Sequence, residues 1–273
     1  MIEITKEEFE QIMTAAIRPT TDVFDKVKPS FSRAFDRTSE KILGDIGNKL
    51  IADNSNTALI SYTKTYICLY AFWLIFRQLD LVLTPTGFGV VSNNTTAPAS
   101  KQRVEALYES LTYQCLQAKR DLVVSLMAHS EWGDTKQATY CVENVGFDIT
   151  RIEDRLGRNL TPEEWADYRK MATAMDVRIR KMIGDAQMDD IISSFRRQEV
   201  DKPKYNYICV CIELIMFLDY TQSREVDDKL NSLVNYMESF PDDFSIYINS
   251  EEYKTNHYER FKNKKDSPGY VFG

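Results

Sequence analysis

"LDLVLTPTGFGVVSNNTTAPASKQRV", Leu79 to Val104, decides how this chain is read. Leu81-Val82-Leu83 and Phe88-Gly89-Val90-Val91 are strand-forming strings on either side of a Pro-Thr-Gly turn. Pro85 presets φ at the start of a turn and Gly87 tolerates positive φ, so the stretch reads as a β-hairpin near residues 80–92. Alternation puts Leu81 and Leu83 on one face, and likewise Phe88 and Val90. A lone two-stranded hairpin is marginal in water, so its apolar face must lie on something. The support is either the chain's own helices or the strands of a neighbouring subunit, reached through two open edges. Gly87-x-Gly89 is not a phosphate loop, because position 92 is Ser, no helix begins there and no Lys-Ser/Thr follows.

Outward from this stretch the pattern is helical, and the expected fold is mainly α. Thr5 with Glu8 forms a capping box for the first helix. One helix is expected over 30–52, with Phe31, Phe35, Ile42, Ile46 and Leu50 inward, and another over 57–78, apolar almost all round. Ser100 caps a long helix to His129 whose inward stripe is Val104, Leu107, Leu111, Cys115, Leu122 and Leu126. From Glu131 to Arg158 the periodicity breaks, with turn-like Trp132-Gly133-Asp134 and Asn144-Val145-Gly146. Thr161, Pro162 and Glu164 then give a strong start for a helix to Ile183. Shorter helices follow to Phe195, from Pro203 and from Arg224.

These breaks divide the chain into a helical domain with the hairpin over 1–130, a connecting segment over 131–160, a second helical domain over 161–252 and an extended arm over 253–273. The two helical-bundle halves share features. "TYICLYAFWLIF" and "NYICVCIELIMF" both carry Tyr-Ile-Cys, and Gly-Asp at 44 and 184 precedes them at offsets of 140 and 141. An internal duplication and chance agreement of apolar positions both fit.

The totals exclude several classes. A net charge of -7 and a pI near 5.1 argue against a surface that grips nucleic-acid phosphates. Cys68, Cys115, Cys141, Cys209 and Cys211 are an odd set, mostly in apolar runs, and read as reduced thiols without metal spacing. The most apolar run, Tyr66 to Phe76, is half the roughly 20 residues that a bilayer demands. No catalytic, cofactor or metal constellation emerges, and a non-enzymatic protein is expected. Glu213, inside "CIELIMF", needs an Arg on a facing helix if it is buried. In the arm, Lys262, Lys264 and Lys265 precede Tyr270, Val271 and Phe272, a basic and aromatic pattern suited to docking in an acidic, apolar-lined groove.

Ile67 to Leu107 resembles a family of structural proteins from tailed phages and prophages of gut bacteria. The resemblance rests on Leu81, Leu83, Thr84, Gly87, Phe88, Val90, Val91 and Ser92, then Ala97 to Ser100, Arg103 and Val104. The architecture is similar to that of head–tail adaptor (connector) proteins. The resemblance implies a virion protein at the head–tail junction, in a closed ring of about twelve copies beneath the portal. Portal protein and further neck or tail proteins would be its partners. DNA would pass through the lumen without sequence-specific binding, and no membrane would be involved. The interface would use Leu81, Leu83, Phe88 and Val90 of the hairpin and Lys264, Lys265, Tyr270, Val271 and Phe272 of the arm. A tail-completion or stopper ring is the alternative, and a host-acting small-molecule-binding helical protein or enzyme a more distant one.

Overall fold

Local signals start the helices where the sequence places them. The structure, a computed structural model, describes residues 2–13, 23–54, 56–79, 81–84, 87–90, 100–199 and 202–258. Helix α1 (Lys6–Ile12) opens on Thr5, whose hydroxyl accepts from the Glu8 amide at 3.2 Å while the Glu8 carboxylate accepts from the Thr5 amide at 3.0 Å. After α2 (Val23–Val27) come α3 (Ser30–Thr38), a π-helical turn (Ser39–Leu43) and α4 (Gly44–Ala52). The single helix expected over 30–52 is therefore broken. Gly44 takes φ +61°, and the Gln137 side chain lies where a Cβ would stand, 2.7 Å from its Oε1. The same Gln137 amide donates to the Glu40 carbonyl at 3.0 Å, satisfying a carbonyl that the break frees.

Helix α5 (Thr57–Ile75), capped by the Asn56 side chain, continues into a 3₁₀ turn (Phe76–Gln78). The eleven-residue apolar run sits within this longer element. Thr57–Gln78 spans 22 residues and contains an 18-residue stretch with a mean hydropathy of 1.3, enough by length and composition to cross a membrane, with half of that stretch buried. In the fold it is a core helix, flanked by α3 and by α6 (Lys101–Met127). Between α5 and α6, β1 (Leu81–Thr84) and β2 (Gly87–Val90) pair antiparallel, Leu81 opposite Val90 and Leu83 opposite Phe88. Along α6, Leu111, Leu122 and Leu126 are buried as expected, whereas Leu107 faces solvent.

The stretch expected to be turn-like is four short helical pieces: α7 (Ser130–Gly133), α8 (Lys136–Cys141), a 3₁₀ turn (Val145–Phe147) and α9 (Ile149–Leu156). Then come α10 (Pro162–Ile183), α11 (Asp185–Arg196), α12 (Pro203–Tyr220), α13 (Val226–Glu238), α14 (Ser245–Ile248) and α15 (Glu251–Asn256). α10 has its capping box, with Thr161 and Glu164 exchanging hydrogen bonds and Pro162 in the first turn. α11 follows directly on Gly184, which caps it at φ +86°. The chain is mainly α.

Buried side chains form two clusters. The first runs from Ile4 to Val142 and the second from Val145 to Tyr247. No separate connecting unit lies between them. Trp132, Ala138 and Val142 complete the first cluster, with the Trp132 indole donating to the Ile42 carbonyl at 2.9 Å, while Val145, Ile149, Ile152 and Leu160 open the second. At the other end, residues 253–256 belong to α15 and not to an extended arm. The Tyr253 ring meets Tyr247 edge-on and carries His257 stacked on it.

Candidate functional site

The strand pair is joined in sequence to two helices, α5 and α6, that are braced against each other. Tyr66, Tyr70 and Trp73 of α5 stack in succession, with ring centroids 5.5 and 6.0 Å apart, and Trp73 continues onto Tyr108 of α6 at 6.1 Å. Phe76 closes the stack, 5.7 Å from Tyr108. The Trp73 indole donates to the Thr112 hydroxyl at 3.1 Å, so the polar end of the ring is satisfied across the α5–α6 seam. Arg77 lies over the outer face of Tyr108 at 4.4 Å and donates to both Glu105 carboxylate oxygens, at 3.2 and 3.1 Å. That pairing raises the guanidinium pKa and lowers that of the carboxyl, each chiefly through the shared hydrogen bonds. Together these contacts hold the end of α5 against the first turns of α6, fixing the two anchor points of the intervening segment. Among the described residues no third strand pairs with either edge of β1–β2.

For Leu81, Leu83, Phe88 and Val90 the description stops at the backbone, which places them in the two strands. Lys264, Lys265, Tyr270, Val271 and Phe272 lie outside the described residues. The Pro85-Thr86 turn tip and the polar loop 91–99 lie outside them as well.

A second arrangement, at the seam between the clusters, was only partly visible in sequence. Glu213 is buried on α12 and accepts from Arg151 at 2.9 Å and Arg155 at 3.0 Å, both on α9, as the apolar surroundings of Glu213 required. Sequence reasoning missed the continuation. Asp148, buried at the start of α9, accepts two parallel hydrogen bonds from Arg120 of α6, each 2.8 Å, and Arg151 lies 3.8 Å from it. The pairing raises the Arg120 pKa, chiefly through the Asp148 hydrogen bond. Glu153 accepts from the Tyr113 hydroxyl at 2.9 Å and from the Leu160 amide at 2.8 Å. Burial, aided by the Glu153 bond, pushes the Tyr113 phenol up to about 12. The one available signal was Asp148 two residues before Thr150, whose amide it caps. This ladder ties α6, α9 and α12 together, and its charges are spent on one another, as in a structural clamp.

The segment that carries the strand pair has relatives. Residues 29–142 match a family of unknown function, DUF6712. The match ends at the last residue of the first cluster, so it takes in that cluster from α3 onward, the strand pair and the aromatic stack, and none of the buried residues of the second cluster. No curated protein and no solved structure matches the chain.

Proposed function

We propose that the chain is a non-enzymatic structural subunit of a tailed-phage virion, a head–tail adaptor that closes into a ring of about twelve copies on the portal and joins capsid to tail. The observation that carries this proposal is the position of β1–β2. It lies inside the Ile67–Leu107 segment that resembles the phage family, joined to two helices braced against each other, with both outer edges unpaired among the described residues. Exposed strand edges favour pairing with another chain. Leu81, Leu83, Phe88 and Val90 would then meet a neighbouring subunit or the portal, and Lys264, Lys265, Tyr270, Val271 and Phe272 would anchor the arm in the portal or the next ring. The excess of acidic residues suits a lumen through which DNA passes without being retained. Internal duplication belongs to the same proposal. In support, Gly44 and Gly184 both take positive φ and are each followed by Asp, Gly44 as the first residue of α4 and Gly184 just before α11.

Deleting residues 262–273 tests this assignment. The truncated protein is expected to remain helical and folded by circular dichroism, yet to be missing from assembled particles imaged by electron microscopy. Normal incorporation of the truncated chain contradicts the arm's role.

A further inference from the structure

Between the two clusters lies a cleft of about 110 Å³. Leu116 and Val123 of α6, Ile149 of α9 and Trp165 of α10 give it an apolar wall, while Lys119, Asn144 and Arg169 line it with donors. Arg120, also on the lining, has its guanidinium committed to Asp148 and Asp121. The other three donors are not committed in this way. Lys119 forms no ion pair among the described residues, and its ammonium stands 5.6 Å from the Tyr140 ring centroid at the rim. Asn144 is only 7% exposed. Its carbonyl oxygen accepts from the Gly146 amide at 3.0 Å, and its amide nitrogen donates to no described residue. Arg169 gives one nitrogen to Glu143 at 2.9 Å, across a pair in which both side chains are about half exposed, a kind of pair that contributes little and yields to competition. Burial raises the Cys141 thiol pKa; Lys119 and Arg169 oppose the rise and Glu143, also on the lining, adds to it, which sets two cations and one carboxylate near the same wall residue.

We propose that this cleft binds a short branched aliphatic carboxylate, with the carboxylate on Lys119, Asn144 and Arg169 and the alkyl body against Leu116, Val123 and Ile149. A bare oxyanion would leave the apolar wall unmatched, and a neutral hydrocarbon seated in the cleft would cover the Asn144 amide nitrogen without giving it an acceptor. An acid with an apolar body satisfies both, the usual composition of a ligand pocket. The cleft is smaller than the cavity of about 150 Å³ that accommodates benzene, so only the branched alkyl end enters it and the carboxylate stays at its mouth. Because the lining comes from α6, α8, α9 and α10, the ligand touches both clusters and stabilises their union by mass action.

Methyl-resolved NMR and thermal unfolding of the full chain, with isovalerate, inorganic phosphate and 3-methylbutan-1-ol at matched ionic strength, test the proposal. Isovalerate is expected to shift the Leu116, Val123 and Ile149 methyl signals saturably and to raise Tm, with phosphate and the alcohol at least about tenfold weaker. Lys119→Met should weaken isovalerate about tenfold while leaving the alcohol unchanged, and Arg169→Met, at an exposed side chain, repeats the test in a second background. Isovalerate binding no tighter than the alcohol or phosphate, or undiminished binding by both variants, overturns it.

Discussion

Helices α5 and α12 are both strongly apolar, and they share Tyr-Ile-Cys at an offset of 141 residues, yet they are buried differently. Ile67 and Cys68 are buried, and so are their counterparts Ile208 and Cys209. On the flank the two helices part. Tyr66 and Leu69 are 9% and 4% exposed, whereas Tyr207 and Val210 are 51% and 49% exposed. The cause lies in what is packed against each helix. α5 runs between α3 and α6, while α12 is covered by α10, α11 and α13, and on its exposed flank the Tyr207 ring lies 4.4 Å from the Tyr236 ring. An all-round apolar sequence announces a core helix but not which of its sides will be covered. That is settled by elements distant in the chain.

The counterpart of Phe72 at the same offset is Glu213, and this pair gives the sharpest way to break the comparison. Phe72→Ala should cost about 3–5 kcal/mol in urea unfolding, through lost transfer energy and an unfilled cavity. Glu213→Ala should cost less, about 2–3 kcal/mol, because the Arg151 and Arg155 side chains that it strands are partly exposed and can turn to water. Equal costs would mean that the two helices are supported alike. Tyr207→Ala should cost under about 1 kcal/mol, the loss of one exposed aromatic contact.

The glycine breaks sharpen the comparison at a smaller scale. Gly44→Ala meets both a left-handed backbone and the Gln137 side chain, and should cost about 2 kcal/mol. Gly157, at φ +66° after α9, has open space around it, so Gly157→Ala should cost about 1 kcal/mol from backbone strain alone. The smallest effect concerns the start of α10. Arg158 chiefly, and the Thr161 amide next, hold the Glu164 carboxyl at about 2, below its ordinary 4.5. Because the folded pKa is depressed, the associated stability is present above pH 4.5 and is lost as pH falls from there toward 2. The Tm difference between wild type and Glu164→Gln should therefore shrink over that window. A difference constant with pH contradicts the pairing.

Much of the fold was legible because its signals are local. The capping boxes at Thr5 and Thr161 need only the residues three positions on, and Gly184 was visible as a break. Gly44 bears the same Gly-Asp signature but was absorbed into a continuous helix, since apolar residues keep helical spacing on both sides of it. What displaces the backbone there is Gln137, more than ninety residues later. The division between the clusters was missed for the same reason. Trp132 looks like a turn residue beside Gly133 until its indole is seen reaching Ile42. Leu107 fitted the stripe of α6, but Val104 and Tyr108 on either side of it pack against the core while Leu107 itself faces solvent. Of the proposed interaction surface, the strand-forming pattern was readable in sequence, while the aromatic stack of α5 and α6, from Tyr66 to Tyr108, depends on two helices meeting.

Cryo-electron microscopy of the purified full-length chain bears most directly on whether the strand pair serves contact between subunits. The expected image is a closed ring in which density from an adjacent copy lies along residues 81–90. Solitary molecules, with those strand edges covered by the chain's own helices, would contradict it.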